Sequence, residues 1–250
     1  MKRGLPTYRN KSEHIAEALI GRILEARLKP GDLLGTEAEL LAKYDVSRPT
    51  LRESLRMLQA QGVVTLRPGP RGGVAVGAPS IHSLAHALSV FLYLRNVPFG
   101  AVLKAREVIE PALAHEAALN GTEQDFEEMA ASIARMRRVA DQDEFVRENR
   151  VFHEIVARVG RSDVLESFWS AISLLASGEQ HGITYSFGNR THVVEAHEEI
   201  LRACRAREPA VAAARMAAHV GELEHLVRRR YRSLLDEPTR MMVKVLQTVQ

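Results

Sequence analysis

The spacing of apolar residues changes character once along the chain. From Ser12, the stretch "SEHIAEALIGRILEARLKPG" puts Ile15, Leu19, Ile20, Ile23 and Leu24 on one face at helical period. Ser12 is the expected N-cap, and Lys29-Pro30-Gly31 with Asp32 is the turn that closes the helix. "TEAELLAKYDVS" predicts a short second helix, with Thr36 as cap and Glu39 three residues on to complete a capping box. Ser47 opens a third helix, "RPTLRESLRMLQAQG", with Pro49 in the first turn where a missing N–H does no harm. Its apolar ladder is Leu51, Leu55 and Leu58, and Gly62 ends it. The period then shortens: Val63, Val64 and Leu66, then Val74 and Val76, read as two strands around the turn "RPGPRGG".

From Ile81 onward no strand pattern remains. Helical segments of alanine, leucine, glutamate and arginine are broken at "RNVPFG", "NGTEQD", "DQDE", "VGRSD", "GEQHGITYSFGNR" and "REP", which predicts six or seven helices. The final "DEPTRMMVKVLQTVQ" has apolar residues enough for a terminal helix at Met242, Val245, Leu246 and Val249. The expected fold is therefore mostly α. A winged helix-turn-helix occupies residues 1–78 and an all-helical bundle residues 79–250.

Composition narrows this picture. At 250 residues the chain is long enough for two cores. A single cysteine, Cys204, excludes an intramolecular disulfide framework and fits a reducing compartment. The first residues have no apolar signal region, and no run reaches the roughly 18 apolar residues of a membrane span. A cytoplasmic protein that avoids the membrane is expected. Residues 1–78 hold 13 basic against 8 acidic side chains, whereas the remainder holds 21 against 23. The overall +3 thus sits in the small N-terminal part, as suits a polyanionic partner.

The second helix of a helix-turn-helix enters the DNA major groove by its N-terminal end, while its other face packs on the domain. On that scheme Leu51, Leu55 and Leu58 are core, and Arg48 and Arg52 share the outward face. An arginine fork can grip guanine O6 and N7 together, worth roughly 1–3 kcal/mol of discrimination. Thr50 is placed to meet a phosphate or a thymine methyl, Arg56 a phosphate, and Arg71 in the wing the phosphates or minor groove. A solvated arginine-rich helix would show the same local pattern; two preceding helices and a wing argue against it.

"LLGTEAELLAKYDVSRPTLRESLRMLQAQGVVTLRPGPRGGVAV" resembles the DNA-binding segment of the GntR family of bacterial transcription regulators. The resemblance implies DNA contact by Arg48, Thr50, Arg52 and the wing around Gly69. Two positions depart from the family pattern. Ala38 stands where many members carry arginine, and Gly35 replaces a usual proline, which is expected to loosen the entry to that helix.

In the second region Asn149 and His153 lie one helical turn apart in "ENRVFHEIVARVG". His197 and His219 belong to two further helices. By spacing alone these are as readily hydrogen-bonded core histidines as metal ligands. "NRVFH", "EAHEEILRAC", "ARMAAHV" and "KAREVIEPALAHEAAL" resemble segments of the FCD effector domain of FadR-type GntR regulators. That resemblance implies a divalent metal (Zn, Ni, Co or Mn) on His153, His197, His219 and, where the family has aspartate, Asn149. The neutral amide lowers metal affinity or shifts the preference; an empty site would be a polar, wet pocket. It also implies a small organic acid as effector, paired with Arg106, although Arg106 can equally bridge to Glu110 within its helix. Tyr185 and Asn189, in the glycine-bearing stretch after residue 177, are further contact candidates.

The expected activity is that of a homodimeric, ligand-responsive transcription regulator of double-stranded DNA, a repressor on a near-palindromic operator. A metalloenzyme is disfavoured: no HExxH spacing occurs, and Glu154 and Glu198 directly follow histidines and so leave the pocket face. An architectural DNA protein with a purely dimerising bundle is the remaining alternative.

Overall fold

The computed structural model describes residues 11–69, 72–176 and 187–240. Arg71, Tyr185 and the stretch carrying Met242, Val245, Leu246 and Val249 lie outside these residues. The chain divides into two compact units, Met1–Ser83 and Leu84–Gln250.

The first unit contains α1 (Lys11–Glu25), β1 (Leu33–Gly35), α2 (Glu37–Tyr44), α3 (Arg48–Ala60), β2 (Val64–Arg67) and β3 (Gly73–Val76). The α2 capping box forms in full. The Glu39 amide donates to Thr36 Oγ1 at 3.2 Å and the Thr36 amide to Glu39 Oε2 at 2.7 Å. Ser47 caps α3 by accepting from the Thr50 amide, with Pro49 in the first turn. Ile15, Leu19, Leu34, Leu40, Leu51, Leu55, Leu58, Val64 and Val74 make the core. Burying each of its leucines fully contributes about 1.5–3 kcal/mol.

Three expectations change here. Ser12 does not cap α1. It lies within the helix, buried, and its carbonyl accepts a 2.7 Å hydrogen bond from Ser54 Oγ. Leu24, placed by period on the apolar face, is 70% exposed at the helix end. The sheet has a third strand: the order is β1-β3-β2, with Leu33 opposite Ala75 and Val64 opposite Val76, all antiparallel. Gly35, in place of proline, takes φ +134°, a backbone conformation that strongly favours glycine. It thereby turns the chain from β1 directly into the α2 cap.

The second unit is built from α4 (Ile81–Leu94), which crosses the division, α5 (Phe99–Asn120), α6 (Glu123–Arg138), α7 (Gln142–Val159) and α8 (Asp163–Leu175). It continues with α9 (Phe187–Arg205), α10 (Pro209–Arg230) and the short α11 (Arg232–Asp236). That makes eight helices among the described residues, against six or seven expected; a five-residue turn such as α11 has too few residues to show a period. Thr122 and Asp141 cap α6 and α7 by accepting from backbone amides. α5 packs on α10 and α7, and α9 on α10 and α6. Phe126, Met129, Phe145, Phe152, Ile200 and Met216 fill the space between them. Around that core α5, α7, α9 and α10 bring their polar inner positions together.

Candidate functional site

α3 is held from behind and bare in front. Leu51, Leu55 and Leu58 are buried, and Ser54 Oγ ties the helix to the α1 backbone. Arg48, Arg52 and Arg56 are exposed, as a surface meant for a charged partner requires. Arg48 and Arg56 have no ion-pair partner among the described residues. Arg52 Nε donates to Glu37 Oε1 at 3.2 Å, an exposed pair of small energetic weight that links the guanidinium to the first turn of α2. Thr50 is half-buried, with its hydroxyl 2.8 Å from Ser47 Oγ. Gly69 takes φ +100° in the β2–β3 turn, a region that favours glycine, and no atom lies within 4 Å of where a Cβ would stand. A backbone can approach the tip closely. The expected phosphate and base contacts thus have an accessible face.

The second unit gathers the opposite kind of site. Asn149 and His153 on α7, His197 on α9 and His219 on α10 come from three helices. The three imidazoles are buried, and their ligand atoms lie within 4.8 Å of one another. His219 Nε2 stands 2.9 Å from His197 Nε2 and 3.2 Å from His153 Nε2. The Phe152 ring stacks on His197 with centroids 3.8 Å apart and fixes its plane. Metal–nitrogen bonds of about 2.0–2.1 Å, meeting at right to tetrahedral angles, separate the nitrogens by about 2.8–3.4 Å. The donor set fits a borderline divalent cation.

An outer layer orients the cluster. Glu110 Oε2 on α5 approaches His153 Nδ1 to 2.5 Å, favouring the proton there and leaving Nε2 to face the other histidines. Arg106 Nε donates to Glu110 Oε1 at 2.5 Å. Burial alone would raise the Glu110 carboxyl, but Arg106 and His153 outweigh it and hold it well below the usual carboxylate range. Burial, then neighbouring His153, pushes His219 down to about 3; burial also carries His197 well below its ordinary value. Both rings are therefore neutral at physiological pH, the form that binds metal. Asn149 Oδ1 is buried with no hydrogen-bond partner among the described residues. It is an acceptor left open for a ligand.

A cavity of about 310 Å³ opens onto these groups, at the lower end of small-ligand sites. Arg106, Asn149, His153, His219 and Asn189 all line it, so five of the expected metal and effector residues converge on one space. His197, wholly buried, completes the cluster from behind. Glu154 is exposed and Glu198 bonds Arg137, so neither reaches the histidines. Sequence reasoning missed the second role of Glu110, and also His192, Glu222 and Arg229 on the cavity wall. Their one trace was spacing: Glu222 follows His219 by three residues and Arg229 by ten, both near the same helical stripe.

An exposed arginine helix with a wing, together with a helical unit enclosing a polar pocket, defines a DNA-binding regulator that answers to a small ligand. The comparisons agree. Residues 11–76 match the bacterial regulatory proteins of the gntR family, and residues 101–222 match the FCD domain. The chain belongs to the GntR family, in the branch with an FCD domain, and is a transcription regulator and not an enzyme. It is 28% identical to the HTH-type transcriptional regulator LutR of Bacillus subtilis over 211 residues, covering 82% of this chain and 95% of LutR. It is 26% identical to the HTH-type transcriptional repressor NanR of Cronobacter sakazakii over 226 residues, 87% of this chain and 86% of NanR. A Streptococcus agalactiae GntR structure shares the fold with a TM-score of 0.66 and 22% identity, covering 86% of this chain and 99% of that one. Among the described residues no helix is long and apolar enough to cross a membrane.

Proposed function

We propose that the chain is a cytoplasmic repressor that binds a near-palindromic operator as a homodimer and releases it when a small carboxylic acid fills the helical pocket. Residues 1–78 read the DNA: Arg48 and Arg52 base edges, and Thr50, Arg56, Gly69 and Arg71 mainly the backbone and minor groove. Residues 79–250 dimerise and hold the effector. The observation that carries the reading is the cavity itself, where an Asn149 oxygen with no hydrogen-bond partner among the described residues, the His153 and His219 imidazoles and Arg106 face one space. A repressor role is supported by the similarity to NanR.

His153, His197, His219 and Asn149 would hold a divalent metal, Zn, Ni, Co or Mn. Bound there, it would give a carboxylate a positive centre beside the Arg106 guanidinium. Arg106, Asn189 and Tyr185 orient the acid. Effector and DNA then oppose each other through a coupling of about 1–3 kcal/mol, and each weakens the other by the same factor. A gel shift on the DNA upstream of its own reading frame, with and without a panel of carboxylic acids, tests this. Release by one acid is expected. Retention unaffected by every acid contradicts the reading and leaves an architectural DNA protein; consumption of an acid would mean an enzyme.

A further inference from the structure

We propose that Arg229 is a second anion anchor at the outer end of this pocket, and that the effector is an elongated acid carrying two anionic groups. The inference rests on the reading of the cavity as the effector site and adds its chemical class.

One stripe of the cavity wall, on α10, is polar at both ends and apolar between. On α10, His219, Leu223, Leu226 and Arg229 follow one another at steps of four, three and three residues, and all four line it. At 1.5 Å rise per residue, the ends of that stripe are about 15 Å apart along the helix axis. Helical side chains lean toward the N-terminus of their helix, so the long Arg229 side chain leans back over Leu226 and shortens the gap. An acid seated by its first carboxylate at the histidine end must lie along Val220, Leu223 and Leu226 to reach the guanidinium.

Charge makes the requirement sharper. Arg106 is engaged by Glu110, and His192 Nε2 is 2.8 Å from Glu222 Oε1. Arg229 has no acidic or hydrogen-bonding partner among the described residues. At the inner end Asn149, His153 and His219 line the cavity, and Glu110 is already occupied by Arg106 and His153. The outer end thus carries no anion of its own to satisfy Arg229. A monoacid seated at the inner end would leave Arg229 open; the second anionic group of a diacid meets it.

A basic last turn is ordinary on a helix, since cations there offset the C-terminal dipole. Arg228, Arg229 and Arg230 all occupy it, and Arg228 bonds Glu224. The dipole accounts for all three alike, but not for Arg229 lining the cavity while Arg230 does not.

The test is calorimetric titration of the full-length protein as purified. Succinate, glutarate, adipate and pimelate are compared with the monoacids of equal carbon number, for the wild type, Arg229→Gln and Arg230→Gln. Both variants change exposed side chains and leave the fold intact. At the best-fitting length the diacid should bind about tenfold or more tightly than its matched monoacid, the gain of one charge-assisted contact. Arg229→Gln should remove most of that advantage with monoacid affinity unchanged, and Arg230→Gln should keep it. Equal binding of the two classes, or a diacid preference that survives Arg229→Gln, overturns the proposal and leaves the acid-binding pocket standing. Binding of no acid of either class overturns both.

Discussion

The two units put the same device, charged or polar groups one helical turn apart, to opposite uses. On α3, Arg48 and Arg52 stand exposed over a leucine core, and their positive charge is solvated until a partner arrives. On α5 and α7, Arg106 with Glu110 and Asn149 with His153 face inward, where every charge must find its counterpart in the fold. Surface groups pay little for waiting, whereas buried groups hold only as a complete set. The reading head should therefore tolerate substitution in stability and fail in recognition. The pocket should fail in stability first.

Glu110→Ala breaks the buried set and is expected to have the largest effect. It removes the carboxylate that Arg106 and His153 share, and a destabilisation of about 3–5 kcal/mol should appear in urea unfolding. Unfolding at the level of a surface substitution would erase the contrast between the units. Acid is expected to act next, and on the metal-free protein. Burial holds His197 and His219 neutral in the folded state, while an unfolded imidazole titrates near about 6.5. Below that pH the unfolded chain takes up protons that the folded protein refuses, so stability should fall as pH drops from about 7 to 5. Glu110 contributes the same direction lower down: its depressed carboxyl gives stability that is present above about 4.3 and lost as pH falls through the folded value. A melting temperature flat from about pH 7 to 5 would contradict the histidine account, and one flat below about 4.3 the Glu110 account.

Thr36→Ala removes the oxygen that caps α2 and should cost about 1 kcal/mol, leaving the pocket untouched. A change in metal content on this substitution would contradict the separation of the two units. Arg56→Ala should leave melting unchanged, weaken DNA binding evenly across sequences, and reduce the salt slope by about one. Loss at one operator position alone would make Arg56 a base reader.

Legibility followed the distance over which each feature is decided. The capping box of Thr36 and Glu39, the Ser47 cap and the leucine ladder of α3 are fixed by residues within a turn of each other, and all could be read directly. β1 could not. Three residues ending in glycine carry no period, and their strand state comes from pairing with β3, some forty residues on. Ser12 looked like a cap because a serine precedes an apolar run, yet its place was decided by Ser54 from another helix. In the pocket, the histidines were legible as residue types through the family resemblance, and Arg106 as a partner of Glu110 through helical spacing. That Glu110 also reaches His153, and that His192, Glu222 and Arg229 share the cavity wall, depends on how four helices pack. No local pattern encodes it.

The most direct test of the account is the affinity of Arg52→Ala for the protein's upstream duplex against a scrambled duplex, by fluorescence anisotropy at fixed salt. The ratio of the two should shrink by about 1–3 kcal/mol, with unfolding indistinguishable from wild type. An unchanged ratio would mean that the outward face of α3 does not read sequence, and the assignment of recognition to this helix would be wrong.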